Sequence, residues 1–234
     1  MKKIFIVANW KSHKTIKETE KWIHEFYEGL VGNSKEILLK NKEIIVAPSF
    51  IALEHANYCS INLKLPIKFG AQNISPFDEG AYTGEVSAKQ IKELSDYVVV
   101  GHSERRRYFG EDEDVVNRKI EQALQNDLTP VLCVSDIKQI QSARWRTKLK
   151  IIDKMFIAYE PVFAIGSGNP DTPNNADKMG KQIKEILGKV PVLYGGSVTS
   201  DNVNTFTQMP NVNGVLVGGA SLDPLEFLEI VKNA

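Results

Sequence analysis

An acidic residue follows an apolar run in the second half of the chain, and glycines close the segment after it. The run spans residues 155–159, Glu160 comes next, and Gly166 and Gly168 follow. A carboxylate fixed at the end of a strand can abstract a proton from a substrate within hydrogen-bonding reach. A glycine-flanked flap can then cover the pocket and exclude water from a charged intermediate. The pattern therefore indicates acid–base chemistry in a covered pocket, although a solvated glutamate at a strand end gives the same local pattern.

Other chemically competent side chains also follow apolar runs. Asn9 and Lys11 follow the first run, and a lysine there is suited to stabilise negative charge that develops on a substrate. His102 follows the fourth run and precedes a predicted helix start at Ser103, whose positive N-terminus favours the neutral imidazole. Glu104 is predicted to pair with a nearby cation such as Lys11. Taken singly, these residues also fit a surface lysine, a structural histidine and a surface salt bridge.

Two pairs of glycines follow the last two apolar runs. Gly195 and Gly196 precede Ser197, and Gly218 and Gly219 follow the final run. Main-chain amides in such turns can bind an anion, and barrel enzymes often build a phosphate site after their last two strands. Tight turns alone also explain glycine pairs. Because neither turn has the GxxxxGK[ST] pattern of a nucleotide-binding loop, a small phosphate ester fits better than a nucleotide.

Eight short β-rich runs position these residues. Most are apolar almost throughout, which is typical of parallel strands covered on both faces. The runs span residues 4–8, 43–47, 67–71, 97–100, 131–134, 155–159, 190–194 and 215–217. Helical spacing of apolar residues predicts helices over residues 15–30 and 114–125, with Ile16 on the apolar face of the first. Thr172-Pro173 and Asp223-Pro224 are each typical of a helix N-cap followed by proline.

This alternation of strands and helices predicts an α/β fold, a (β/α)8 barrel. Eight such units fit a chain of 234 residues, and no linker or composition break divides them, so we expect one domain over residues 1–234. A doubly wound open sheet is the alternative. In a barrel, reactive groups collect at the carboxyl ends of the strands, and the polar residues singled out above all follow predicted strands.

Composition limits the partners and the setting. Twenty-nine basic residues balance twenty-nine acidic ones, so no global field attracts nucleic acid or an anionic membrane. The basic stretch 138–150 is interpreted as a solvated helix face. Cys59 and Cys133 lack metal-like spacing and are predicted to be buried thiols in a reducing compartment. No apolar run approaches the ~20 residues that cross a bilayer, and the N-terminal run is short for a signal peptide. We expect a soluble cytoplasmic protein.

Taken together and in their order, these motifs resemble the signatures of the triosephosphate isomerase family. The resemblance spans nearly the whole chain, and its combination of motifs is highly specific. It rests on NWK at 9–11, GHSERR at 101–106, AYEPV at 158–162, YGGSV at 194–198 and LVGGAS at 216–221. Residues 71–73 and 80–85 resemble the dimer loop of the same family.

The resemblance implies interconversion of dihydroxyacetone phosphate and D-glyceraldehyde 3-phosphate through an enediolate, in glycolysis and gluconeogenesis. It gives Glu160 the role of the base that moves a proton between neighbouring carbons. Neutral His102 would polarise the carbonyl and shuttle protons between the oxygens. Lys11, with Asn9, would stabilise the negative oxygens, and no metal or organic cofactor is expected.

The same resemblance implies a phosphate site, a flap and a dimer. Amides at Gly166, Ser197 and Gly219, with Gly218 beside them, would hold the phosphate, and residues 161–167 would close over it. A homodimer would form through Gln72 to Glu85, with Thr83 reaching the partner's site near its lysine. Ser103 and Glu104 would support the catalytic groups.

Several residues depart from the family pattern. Phe163 stands where the family usually has Trp, Ser167 where it has Thr, and Pro170 fixes a backbone angle beyond the flap. We therefore expect slower or altered flap motion with the chemistry intact. After the fifth run, residues 133–136 read Cys-Val-Ser-Asp instead of Cys-Ile-Gly-Glu, and the segment before the sixth run is shortened.

Two other classes of protein compete with this interpretation. Another phosphate-binding barrel enzyme would explain the late glycines, but not Glu160 with its flap together with His102 and Lys11. A catalytically silent barrel would bind phosphate without turnover, and the intact set of three residues argues against it.

Overall fold

The computed structural model describes residues 2–32, 39–141 and 154–234. Eight parallel strands form a closed barrel in the order β1 to β8, and β1 pairs with β8. The closure excludes the doubly wound open sheet. The strands are β1 (Ile4–Asn9), β2 (Lys42–Ala47), β3 (Lys68–Ala71), β4 (Tyr97–Val100), β5 (Thr129–Val134), β6 (Phe156–Tyr159), β7 (Val192–Tyr194) and β8 (Gly214–Val217).

Helices follow the strands around the outside of the barrel. In the described part of the chain they are α1 (Ile16–Val31), α2 (Phe50–Asn62), α3 (Ala88–Lys92), α4 (Ser103–Phe109), α5 (Glu113–Gln125), α6 (Ile137–Gln141), α7 (Pro173–Leu187), α8 (Val203–Thr207) and α9 (Pro224–Asn233). Two 3-10 turns, Val162–Ala164 and Gly219–Ser221, lie beyond β6 and β8. None of the described helices is long and apolar enough to cross a membrane.

The eight predicted strands are confirmed, with small shifts at their ends. The sixth begins at Phe156 and the seventh at Val192, later than their apolar runs do. The predicted N-caps are confirmed as well: the Thr172 side chain accepts from the amide of Asn175, and Asp223 caps α9 in the same way. Most of the basic stretch, residues 142–150, lies outside the described residues.

The prediction for the apolar face of α1 was wrong at one position. Ile16 is 44% exposed, whereas Trp22 is fully buried and fills the space beneath the first strand end. The Trp22 ring lies 4.8 Å from that of Trp10 and stacks on Phe26, and its Nε1 donates to the carbonyl of Ser221. Ile16 is the first residue of the helix. The capping box formed by Thr15 and Glu18 fixes the direction of the chain there and leaves the Ile16 side chain in solvent.

Strand residues fall into two buried clusters because alternate side chains point to opposite faces. One cluster contains strand residues alone and fills the inside of the barrel: Val7, Ile45, Val99, Val131, Cys133, Phe156, Ala158, Leu193 and Leu216. The larger cluster joins the outer faces of the strands to the helices. The alternation that places side chains inside the barrel includes Asn9 at the end of β1 and continues past the ends of β6, β7 and β8 to Glu160, Gly195 and Gly218. The fold thus directs these four residues into one mouth.

Candidate active site

Glu160 lies at the centre of this mouth, directly after β6. Its amide donates to the carbonyl of Val134 at 2.7 Å, which extends the β5–β6 pairing by one residue. The carboxyl group is buried, with 3% of the residue exposed. Its Oε2 accepts the amide N–H of Ser103 at 3.1 Å, and its Oε1 lies 3.1 Å from Nε2 of His102. A buried carboxylate with two nitrogen partners is therefore held at a fixed position.

The surroundings keep this carboxyl group ionised. Burial would raise the pKa of Glu160, but His102 and the Ser103 amide outweigh burial and hold that pKa below its usual range. The Cys133 thiol, on the inside of β5, forms a hydrogen bond with Glu160 that also lowers the pKa of the carboxyl group. Burial and the nearby Glu160 raise the pKa of Cys133 well above its usual value, so this thiol stays protonated and acts as a donor. The arrangement supplies a carboxylate that is ready to accept a proton.

His102 is the N-cap of α4 and is almost fully buried. Its Nδ1 accepts the amide N–H of Glu104 at 3.2 Å, which requires a lone pair on that nitrogen. The proton of a neutral ring therefore lies on Nε2, which faces Glu160. Burial lowers the pKa of His102, but the carboxylate of Glu160 outweighs burial, and the pKa lies above its ordinary value. The amide of Glu104 therefore favours the neutral ring, whereas the carboxylate of Glu160 favours the imidazolium.

This opposition gives a prediction with a definite sign. Replacing Glu160 with Gln removes the anion that favours the imidazolium, so the pKa of His102 should fall. Glu104→Gln should lower it less, because Glu104 contributes less to the upward shift. NMR titration of the ring nitrogens measures both changes. A pKa that rises or stays constant in Glu160→Gln would contradict this account of the pair.

Lys11 occupies a strained backbone position just beyond β1. Its φ of 53° lies in the left-handed region, which non-glycine residues rarely adopt and which is held by its surroundings. Its amide donates to Oδ1 of Asn9 at 3.1 Å, and its carbonyl accepts from Nε2 of Gln72 at 2.9 Å. Nζ lies 2.5 Å from Oε1 of Glu104, as predicted for this pair. These contacts hold the ammonium group of Lys11 at the mouth of the barrel.

Gln72 is a functional residue that the sequence reasoning missed. The same side-chain amide donates to the carbonyls of Lys11 and Ala47, at 2.9 and 2.8 Å, and so ties the ends of β1 and β2 together. In the sequence, Gln72 was assigned only to the dimer segment. Its position directly after β3, at the end that carries the chemistry, was the available signal.

The glycine turns after β7 and β8 form the opposite wall. A Cβ on Gly196 would lie 2.1 Å from the Tyr194 hydroxyl, so only glycine fits there. A Cβ on Gly195 would meet Cγ of Glu160 at 3.0 Å, and one on Gly218 would meet Cε of Lys11 at 3.4 Å. These close approaches leave the main chain itself as the lining surface, and its amide groups are suited to an anion.

All eight residues predicted for catalysis and substrate binding line one cavity. Its volume of about 230 Å³ is below the ~300–1,000 Å³ typical of drug-sized ligands, which favours a small substrate. The eight are Asn9, Lys11, His102, Glu160, Gly166, Ser197, Gly218 and Gly219. Of the predicted supporting residues, Ser103 and Glu104 contact Glu160 and Lys11, whereas Thr83 is exposed on the loop that follows β3 and does not line this cavity.

The flap lies against the turn after β7. Ser197 Oγ donates to the carbonyl of Ala164 at 2.7 Å and accepts from the amide of Gly168 at 3.2 Å. Gly166 and Gly168 have φ values of 64° and 75°, which other residues rarely adopt. Val162 and Phe163, at the flap's outer surface, are 64% and 66% exposed. The serine therefore holds both halves of the flap over the cavity.

Asp171 anchors the far end of the flap. Its amide donates to the Tyr194 hydroxyl at 2.7 Å, and its Oδ2 accepts from the Tyr159 hydroxyl at 3.2 Å. Its Oδ1 accepts from the amide of Thr172 and the side chain of Asn175 at the start of α7. One buried carboxylate thus joins β6 to the first turn of the following helix, and its main chain adds a contact to β7.

Removing this anchor should loosen the flap. Asp171→Ala and Tyr159→Phe each delete the same hydrogen bond, and a bond to a charged group contributes about 1.5–3 kcal/mol, so we expect kcat/KM to fall by roughly tenfold or more in each. The double variant should be little worse than Asp171→Ala alone, because that substitution already removes the bond to Tyr159. Asp171→Ala also removes the bonds to Thr172 and Asn175, so it should cost more than Tyr159→Phe. Steady-state kinetics and relaxation dispersion measure the two effects. Losses that multiply in the double variant would show that the pair does not act as a unit.

The closed barrel and the buried carboxylate–imidazole pair at its carboxyl-end mouth define a (β/α)8-barrel enzyme of the acid–base type. The family model described as triosephosphate isomerase matches residues 4–234. The chain belongs to the triosephosphate isomerase family.

Curated relatives agree over their full lengths. A triosephosphate isomerase of Mesomycoplasma hyopneumoniae (strain 7448) is 43% identical over an alignment of 251 positions that covers all of both chains. That of Thermodesulfovibrio yellowstonii is 40% identical, covering 99% of this chain and all of its own. That of Dictyoglomus turgidum is 38% identical, with both chains fully covered.

Proposed function

We propose that this protein interconverts dihydroxyacetone phosphate and D-glyceraldehyde 3-phosphate. Family membership supports this reaction, and one structural observation carries it for this chain. Glu160, His102 and Lys11 line the same small cavity as the glycine turns, so a base, a donor, a cation and an anion-binding wall face one substrate. The reaction moves a proton between two neighbouring carbons and stabilises the negative charge that forms, so it needs no external electron acceptor.

The proposed steps follow from the positions of these groups. The Glu160 carboxylate takes a proton from the carbon next to the carbonyl, while the electron pair moves to the carbonyl oxygen. The Nε2 proton of His102 stabilises that oxygen, and the Lys11 ammonium stabilises the enediolate charge. Glu160 then returns the proton to the neighbouring carbon, and the imidazole moves the hydroxyl proton between the two oxygens.

The phosphate is assigned to the glycine wall. Gly166 of the flap, Ser197 and Gly219 all line the cavity, and their main-chain amides are suited to a dianion. Closure of the flap over this group would exclude water and so suppress loss of phosphate from the enediolate. Since Phe163 and Pro170 depart from the family pattern, altered flap kinetics stay a prediction for this enzyme.

A coupled assay on purified protein tests the proposed activity. Glyceraldehyde 3-phosphate is supplied, and the dihydroxyacetone phosphate formed is reduced by an added NADH-dependent dehydrogenase. Rapid NADH oxidation that depends on the protein supports the isomerase. Binding of inorganic phosphate or phosphoglycolate without turnover would favour the catalytically silent barrel.

We also propose a homodimer formed through Gln72 to Glu85. Residues 78–85 form an uninterrupted exposed stretch, including Tyr82, which is 44% exposed. The Tyr82 ring stacks on Phe77 at 4.2 Å, and the Ser75 amide donates to the carbonyl of Val86, which closes the base of the loop. An ordered loop with exposed aromatic surface supports an interface.

Thr83→Arg should separate the subunits, because a large charged side chain at the loop tip cannot be buried without a partner charge. Light scattering should then give half the wild-type mass. If Thr83 supports the partner's lysine, kcat/KM should also fall, by about a hundredfold for a misplacement of ~1 Å. Tyr58→Arg, on the exposed face of α2, is the matched control and should change neither. A wild-type monomer with full activity would rule out this proposal.

A further inference from the structure

Three side chains with metal-binding atoms meet on the outside of the barrel, between α1 and α2. Glu20 comes from α1, and His55 and Cys59 lie one turn apart on α2. His55 Nε2 lies 3.4 Å from Oε2 of Glu20 and 3.5 Å from Sγ of Cys59. The three ligand atoms all lie within 4.8 Å of one another. A single imidazole nitrogen thus faces both a carboxylate and a thiol.

Two of the three separations match the edges of a metal tetrahedron, and the third, between the Glu20 carboxylate oxygen and Cys59 Sγ, is within 4.8 Å. Zinc binds imidazole nitrogen at about 2.0–2.1 Å, thiolate sulfur at about 2.3 Å and carboxylate oxygen at about 2.0–2.2 Å. At tetrahedral angles, those bond lengths place nitrogen about 3.4 Å from oxygen and about 3.5 Å from sulfur. Both observed distances agree. A direct charge-assisted hydrogen bond between imidazole and carboxylate would be shorter, at about 2.7–2.9 Å.

The burial of the three groups fits a site that is open on one side. Cys59 is 6% exposed, whereas the side chains of His55 and Glu20 are 32% and 51% exposed. A metal bound there would be coordinated by the sulfur on its buried side, and its fourth coordination position would face water. The thiolate and imidazole select a borderline-soft divalent ion over magnesium or calcium, which prefer all-oxygen ligands.

A reactive thiol is the main alternative function for this cluster. Cys59 is only 6% exposed, which leaves little room for a reagent to reach its sulfur. Metal coordination is the chemistry that uses all three groups, because a bound cation would compensate both the thiolate and the carboxylate.

We propose that Glu20, His55 and Cys59 form a divalent metal site of the zinc type that joins α1 to α2. The site lies on the helical layer, away from the mouth of the barrel. Its role is structural, since it would tie two neighbouring helices across their contact.

Cobalt(II) is the probe, because thiolate coordination to it produces a charge-transfer absorption band. Metal-free protein titrated with Co2+ should show this band, saturating at about one Co2+ per chain, and Zn2+ should displace it. Cys59→Ser should abolish the band, and Glu20→Gln should weaken binding with little risk to folding, because the side chain is half-exposed. Glu54→Gln is the matched control: it removes an exposed carboxylate next to His55 but outside the cluster.

Thermal unfolding provides a second measurement. Zn2+ at about a hundredfold excess over its Kd should raise the Tm of the wild type and of Glu54→Gln by roughly 5 °C or more. It should leave the Tm of Cys59→Ser unchanged, and isomerase activity should not depend on the metal. No charge-transfer band in the wild type, or a band that persists in Cys59→Ser, would overturn the proposal.

Discussion

Replacing Glu160 with Gln is expected to lower kcat by about a thousandfold to ten-thousandfold, with a much smaller change in KM. The amide has the shape of the carboxylate but cannot accept a substrate proton, and general-base catalysis contributes up to about ten-thousandfold. Of the two N–H groups that now contact the carboxylate, those of Ser103 and His102, one can still donate to the amide oxygen and hold the side chain in place. Substrate should therefore still bind, and kcat and kcat/KM should fall together.

A shorter acid separates position from chemistry at the same site. Glu160→Asp keeps the carboxylate but withdraws it by roughly the length of one methylene, and a misplacement of ~1 Å costs about a hundredfold. The aspartate variant should thus lie between wild type and the glutamine variant. Thermal melts check that both variants remain folded. A glutamine variant that keeps more than about a tenth of wild-type kcat would exclude Glu160 as the base.

Lys11→Met should lower kcat/KM by about a hundredfold to a thousandfold, the range found when one charge-stabilising group is removed from an active site. The loss has two parts, because the substitution removes the ammonium and also leaves the negatively charged Glu104 near the mouth of the barrel without its 2.5 Å partner. The second part is a repulsion between Glu104 and the phosphorylated substrate. Steady-state kinetics measure the sum.

The double variant separates these two parts. Adding Glu104→Gln to Lys11→Met removes the unpaired carboxylate, so part of the lost activity should return. Lys232→Met is the matched control: it breaks a 2.6 Å ion pair with Glu229 on α9, away from the mouth, and should leave kinetics unchanged. Lys11→Met with near wild-type kcat/KM would remove the lysine from the mechanism.

The barrel and its active-site side could be predicted because both depend on local patterns. Most of the strands have an almost continuous apolar run, since parallel strands are covered on both faces, and the residues that follow these runs fall at the same end of the barrel. Glu160 and Asn9 follow from this rule with no knowledge of contacts. Their place on the inside of the barrel follows from the two-residue period of the strands.

What the sequence did not reveal depends on contacts between distant segments. Gln72 supports Lys11 from 61 residues away, and its position after β3 places it at the active-site end without showing which carbonyl groups its amide contacts. Cys133 contacts Glu160 only because β5 and β6 are neighbours in register. Pro170 was noted beyond the flap, but the role of its neighbour Asp171 depends on a hydrogen bond to Tyr159 that forms only when the flap is folded. Such residues are identified by geometry.

The most direct test of the shared active site is a crystal structure with bound phosphoglycolate, whose planar carboxylate resembles the enediolate. We expect the ligand in the cavity between β6 and β8, with its phosphate on the amides of Gly166, Ser197 and Gly219. The Glu160 carboxyl group should lie within about 3.5 Å of the ligand carbons, at the distance of a near-attack geometry. A phosphate bound outside this cavity would contradict the account. So would a ligand that contacts none of Glu160, His102 and Lys11.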